Sequence, residues 1–279
     1  MRPIVFLTIP RSFDGEFYIR QMNCLNSIKT QHPASKIIFY SKDKGLCELS
    51  EGLGIDVPNT VITNNGVPLI YTAFLHAIEK HPTAVITFVN SDIILTHNID
   101  GIAKSATQRF GENWLVSSER RNVDVPDMEN FWDKSVYNRL LQKSENHRKS
   151  GMDIFMFTSQ LKPTLEKLPR LQVGRPGWDS ALIAKSRKQN LNVIDASQSL
   201  TILHQNHRSN YPTDFPSFLE VIRKTQTIRL GTLRDTNFIM KQCEVRRNFL
   251  GTLTGSQLGL IIIGTLRLIK KGLTHFLTK

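Results

Sequence analysis

With 279 residues, 40% of them hydrophobic and 22% charged, the chain is long enough to bury a sizeable core, as one large domain or a domain plus an appendage, and has the composition of an ordinary soluble globular protein. Three cysteines (Cys24, Cys47, Cys243) are few, odd in number and widely spaced, which excludes a disulfide framework or zinc spacing and points to reduced thiols in a cytoplasmic setting. The net charge of +12 is uneven: from Val221 onward 11 Lys+Arg oppose only Asp235 and Glu244, leaving +3 for residues 1–220, so the body lacks the basic, aromatic-interleaved stripe of a nucleic-acid binder and no nucleic acid is expected as a partner.

In chain order, Ile4–Ile9 is a short apolar run of strand length, not a secretory signal, because it meets Pro10-Arg11 without a small-residue cleavage site. Glu16–Lys29 carries a helical apolar stripe (Phe17, Met22, Leu25, Ile28), stopped by His32-Pro33. Lys36–Tyr40 predicts a strand, Leu46–Leu53 a short helix, Val57–Thr63 a third strand and Leu69–Lys80 a helix. Ala84–Val89 is the next strand, running into Asn90-Ser91-Asp92 before Ile93-Ile94-Leu95. Strand and helix alternating over the first hundred residues is the signature of a parallel sheet covered by helices on both faces. Ligands in such sheets bind beyond the carboxyl ends of the strands, where Pro10-Arg11, Asp43 and Asp92 fall. Further on come strands at Trp114–Ser118, Asp153–Thr158, Leu191–Asp195 and Leu200–Leu203. A helix with an exposed loop is expected within Phe131–Ser150, and helices at Lys162–Leu168 and Ser180–Gln189.

A carboxylate between two apolar runs, as at Asp92, is costly to bury unless a cation or ligand charge compensates it; alternatively it caps a turn. His204 and His207 follow the last strand. One of them with Asp92 would suffice for a divalent ion whose other ligands are phosphate and water, and the alternative is a turn pair. Asp179 opens an apolar helix, as an N-cap or as a general base for an acceptor hydroxyl. The loop Arg175-Pro176-Gly177-Trp178 favours the base, since Gly and Pro fix a tight turn and Trp178 offers a flat face on which a sugar stacks. Asp43 suits either a turn or a ribose or base contact. Arg11, Arg120 and Arg121 suit either the surface or a diphosphate. No phosphate loop, dinucleotide fingerprint or nucleophile elbow is present, which disfavours phosphate-loop kinases, nicotinamide-dependent dehydrogenases and α/β-hydrolases.

Taken together, VNSDIIL, GMDIFMF (Gly151–Phe157), VGRPGWDSALI (Val173–Ile183) and VIDASQSLTILHQNH (Val193–His207) resemble the nucleotide-diphospho-sugar transferases of the GT-A fold, closest to poorly characterised microbial glycosyltransferase-like proteins, over residues 1–210. The resemblance implies a Rossmann-related three-layer α/β/α fold with a mostly parallel mixed sheet. It also implies transfer of a sugar from a nucleotide-diphosphate donor, by direct displacement at the anomeric carbon, to a glycan, lipid or protein acceptor that the sequence does not identify. By the same resemblance, Pro10, Arg11, Asp43, Asn90, Ser91 and Asp92 would contact the donor. Asp92 with His204 or His207 would hold Mn²⁺ or Mg²⁺ and Asp179 would be the base, while the loop's own composition makes Arg175, Gly177 and Trp178 the expected substrate contacts. The chain departs from the family's Asp-x-Asp motif at Asn90, an amide in place of the first carboxylate. That departure keeps open a binding module without catalysis; a basic anionic-surface or nucleic-acid binder is the third reading.

Residues 1–220 are expected to form the catalytic domain and 221–279 a basic, helical C-terminal extension. Within it, Asn248–Leu266 is 19 residues without a charge, bracketed by Arg246-Arg247 and by Arg267, Lys270 and Lys271, with Gly251, Gly255 and Gly259 at four-residue spacing. Such a segment suits a helix packed on its own domain, one lying on an anionic membrane surface, or a weak span. The expected location is cytoplasmic, with or without peripheral membrane contact.

Overall fold

The first strand, β1 (Ile4–Thr8), alternates its side chains between two cores. Val5 and Leu7 pack with Ala73, Phe74 and Leu182, while Ile4 and Phe6 pack with Leu25, Ile28 and Ile102. A strand buried on both faces requires a layer of helices on each side, and that is the architecture of the computed structural model, which describes residues 2–43, 45–147, 149, 151–175, 177–207 and 231–255.

After β1 come α1 (Gly15–Gln31), β2 (Lys36–Phe39), α2 (Leu46–Leu53), a small hairpin of β3 (Thr63–Asn64) and β4 (Val67–Pro68), α3 (Ile70–Lys80), β5 (Val85–Val89), β6 (Ile93–Leu95) and α4 (Asp100–Phe110). The remainder is β7 (Trp114–Val123), α5 (Lys134–Lys143), β8 (Glu145–Asn146), β9 (Met152–Phe157), α6 (Lys162–Leu165), α7 (Trp178–Lys188), β10 (Asn192–Gln198), β11 (Ile202–Gln205), β12 (Phe238–Lys241), β13 (Glu244–Arg247) and α8 (Phe249–Gly255). The main sheet runs β13-β12-β10-β7-β9-β5-β1-β2. Strands β2, β1 and β5 are parallel, as are β7, β10 and β12, and β9 lies antiparallel between the two groups. Beside the sheet, β11 pairs parallel with the far half of β7 and antiparallel with β6, under α5.

Four expectations change. The predicted strand Val57–Thr63 is a single bridge between Ile38 and Asp56 followed by the β3–β4 hairpin, which turns at Asn65-Gly66 with φ of 50° and 77°. Asn-Gly is the favoured pair for such a two-residue turn. The strand predicted to stop at Ser118 continues to Val123, because Glu119 still pairs with β9 and the half-buried Arg120 and Arg121 lie where β7 pairs with β11 and β8. Asp100–Phe110 is a helix to which the sequence reading assigned nothing. Finally, residues 221–279 are not simply a helical appendage: β12 extends the main sheet beside β10, so the sheet does not end at 220.

The uncharged segment begins on the domain. In α8 the Gly251 carbonyl accepts from Arg187, and a Cβ at Gly251 would strike the Thr236 carbonyl; the rest of Asn248–Leu266, beyond Gly255, lies outside the described residues. No helix among the described residues is long and apolar enough to cross a membrane.

Candidate functional site

A cavity of about 1070 Å³ opens where β1, β2, β5 and β7 end. Every residue that the resemblance or the loop's composition assigns to donor, cation, proton transfer or substrate lines it, while Pro176 of the same loop lies outside the described residues. Its floor is the Asn90-Ser91-Asp92 turn between β5 and β6. Antiparallel pairing of β6 with β11 sets Ile93 opposite His204, which brings a histidine more than a hundred positions away beside Asp92. Gln205 fixes that junction. Its backbone N–H and side-chain Nε2 both donate to the Asp92 carbonyl at 3.1 Å, Nε2 also donates to the Arg20 carbonyl, and Oε1 accepts from buried Asn23.

Asp92 Oδ2 lies 3.4 Å from His204 Nε2 and 3.2 Å from His207 Nε2. Burial pushes the Asp92 carboxyl upward, but hydrogen bonds from the two imidazoles outweigh it and hold the group well below the usual carboxylate range. The side chain therefore stays anionic. Asp92 Oδ1 and His204 Nδ1 are buried without a hydrogen-bond partner, although buried polar atoms are normally satisfied. One ligand atom from each of Asp92, His204 and His207 falls within 4.8 Å of the others, the one such cluster found among the described residues. Two imidazole nitrogens and one carboxylate, with its Oδ1 orphaned, fit a divalent cation such as Mn²⁺ or Mg²⁺.

Asp179 sits in the first turn of α7, and its Oδ1 accepts from the Ser180 N–H at 2.7 Å. Burial raises its carboxyl to about 7, with the charge of Asp153 adding to the effect against the Ser180 hydrogen bond. The preceding Gly177 has φ of 99°, a backbone state that a side chain resists. Arg11 stands at the mouth with its guanidinium 5.2 Å from the Phe17 ring centre, its backbone clamped by Gln21. Asp43 is exposed at the lip. Arg121 turns away to Ser144 and Asn146, leaving Arg120 as the cavity arginine of the pair.

Trp178 requires a correction. Its ring packs edge-on or tilted against Phe74, Phe88 and Phe155, and the residue is 6% exposed. It lines the cavity as part of the core, packed among phenylalanines and too little exposed to present a flat face to a sugar.

The sequence reading missed Asp153, Arg120's partner, and His147, both of which line the cavity. Because β9 runs antiparallel to its neighbours, its beginning lies where β5 finishes and beside Glu119 of β7, so a residue at a strand's start reaches the ligand edge. Asp153 accepts from Arg120 Nη1 at 2.9 Å and from the Asn90 side-chain amide. Burial, with Arg120 nearby, lowers the His147 pKa.

The three-layer α/β/α unit with a mixed, mostly parallel sheet is GT-A-like in fold. Among solved structures it resembles S. aureus TarS 1-349 in complex with UDP-GlcNAc, at 12% identity and a TM-score of 0.51, over 80% of this chain and 65% of that one. It is also similar to Mycobacterium tuberculosis glucosyl-3-phosphoglycerate synthase in complex with Mn²⁺, UDP and phosphoglyceric acid (15% identity, TM-score 0.44, 74% and 72% of the two chains). A third is a cytidylyltransferase from Leptospira borgpetersenii (13%, 0.44, 75% and 79%). No protein-family model and no curated protein sequence matches the chain.

Proposed function

We propose that the protein is a glycosyltransferase that moves a sugar from a nucleotide-diphosphate donor to an acceptor hydroxyl. The observation that carries this reading is the convergence, in one cavity, of the Asp92–His204–His207 cluster with the half-neutral carboxyl of Asp179. Pro10, Arg11 and Ser91 line the donor side, with Asp43 at the lip for the ribose or base. Asp92, His204 and His207 would hold a divalent cation, which when bound supplies neutralising charge to the departing diphosphate. Asp179, poised near neutral pH, takes the proton from the acceptor hydroxyl. Arg175 and Gly177 shape the acceptor side, and the walls limit the water that would hydrolyse the donor. The acceptor is a glycan, lipid or protein, and the basic residues after 220 give the protein a route to an anionic membrane surface.

The test is release of nucleoside diphosphate from a panel of sugar nucleotides, with and without Mn²⁺. Turnover that Mn²⁺ stimulates and that Asp92→Ala abolishes supports the reading. Asn90 in place of a carboxylate favours a second reading, a module that binds nucleotide or glycan without transfer. Tight binding with no turnover for any donor and acceptor would select it.

A further inference from the structure

We propose that Asp153 is a positioning residue: it takes over, from the neighbouring antiparallel strand, the work of the carboxylate that Asn90 lacks, by orienting the Asn90 amide and tying the Asp92 turn to β9. The inference rests on the cation-site reading above. The amide of Asn90 donates from Nδ2 to Asp153 Oδ1, and the Asn90 backbone N–H donates to the Asp153 carbonyl at 3.0 Å. A carboxylate only accepts, so the NH₂ end of Asn90 is committed to Asp153. The amide oxygen is thereby left as the acceptor Asn90 offers. An amide carbonyl is an ordinary oxygen ligand for hard cations.

Arg120 completes the arrangement. Its Nη1 meets the other Asp153 oxygen at 2.9 Å, and the Asp153 side chain is only 9% exposed. The ion pair makes burial of that carboxylate tolerable and offsets part of its charge, and Asp92 is the one carboxylate on the turn itself. An aspartate at position 90 would instead place two carboxylates in hydrogen-bonding contact, with one arginine between them.

The exchange of amide and acid across the two strands is therefore reciprocal. In the double variant Asn90→Asp/Asp153→Asn, the amide moved to β9 has an oxygen to accept from Arg120 and an NH₂ to donate to the carboxylate moved to the turn. Neither single exchange satisfies all three partners: Asn90→Asp sets like charges together, and Asp153→Asn deprives Arg120 of its counter-ion. Groups that orient a metal ligand from behind typically change metal affinity by roughly 10–100-fold when altered.

The experiment measures Mn²⁺ affinity by electron paramagnetic resonance, alone and with each of the adenosine, cytidine, guanosine, uridine and thymidine diphosphates. It uses the full-length wild type, Asn90→Asp, Asp153→Asn, the double exchange and Asp92→Ala, all shown folded by thermal melting without metal. The expected result is a loss of roughly tenfold or more for each single exchange and recovery in the double variant to near wild type. Single variants that bind Mn²⁺ like wild type, or a double variant no better than the weaker single, would overturn the positioning role. A wild type that binds no Mn²⁺ under any of these conditions would overturn the cation-site reading, and this inference with it.

Discussion

Replacing Asp179 by asparagine separates the stability cost of this residue from its proposed chemical use. Burial raises the carboxyl from 3.8 to about 7 in the folded protein, so folding favours its protonated form. A raised folded pKa gives stability that is complete below about pH 4 and is lost as pH rises through about 7. At about 1.4 kcal/mol per pKa unit, ionising Asp179 in the folded state costs about 4 kcal/mol. Asp179→Asn keeps the shape and an oxygen for the Ser180 N–H, and it carries no charge to desolvate. The variant should therefore melt close to wild type near pH 4 and increasingly above it as pH rises, by up to about 10 °C above pH 8. Transfer should fall by about 10²–10⁴-fold over the same range. Thermal unfolding followed by circular dichroism from about pH 4 to 9, beside a nucleotide-release assay, reads both. A melting difference that does not change with pH, or a variant less stable than wild type above pH 8, would refute the assignment of Asp179 as a desolvated carboxyl.

Trp178→Ala should destabilise by about 3–5 kcal/mol in urea unfolding, the cost of emptying an aromatic core position; a loss of only a few tenths would return the ring to a surface role. Gly177→Ala should cost about 1–2 kcal/mol, because alanine resists the left-handed backbone at that position, and equal unfolding midpoints would contradict it. Gln205→Ala should cost about 1–3 kcal/mol by leaving buried partners unpaired and should also weaken Mn²⁺ binding, since the Asp92 carbonyl loses a donor. Unchanged Mn²⁺ binding would mean that the Asp92 turn is held by other contacts.

The edges of the parallel strands were readable because β1, β2 and β5 are short apolar runs that end in polar loops, and the chemistry follows those ends. Asp92 stands at such an end, whereas Asp179 is marked by the start of an apolar helix and the two histidines by the end of a later apolar run. Direction was not readable. DIFMF has the same composition whichever way it runs, so Asp153 looked like the entry to a strand when it lies at the ligand edge. Trp178 was misplaced because its loop is rich in glycine and proline, while the phenylalanines that enclose it lie on α3, β5 and β9. The β12–β13 hairpin was hidden by short strands in a basic stretch, joined by Gln242 and Cys243 with φ of 50° and 62°, where no glycine marks the turn.

The proposed function requires a divalent cation held by Asp92 and the two histidines. Electron spin echo spectroscopy of Mn²⁺ added to the protein with a nucleoside diphosphate examines that bond itself. The predicted result is imidazole nitrogen modulation on the Mn²⁺ signal, lost in His204→Ala/His207→Ala, with Mn²⁺ binding itself lost in Asp92→Ala. Bound Mn²⁺ with no histidine nitrogen, or binding indifferent to Asp92, would contradict it.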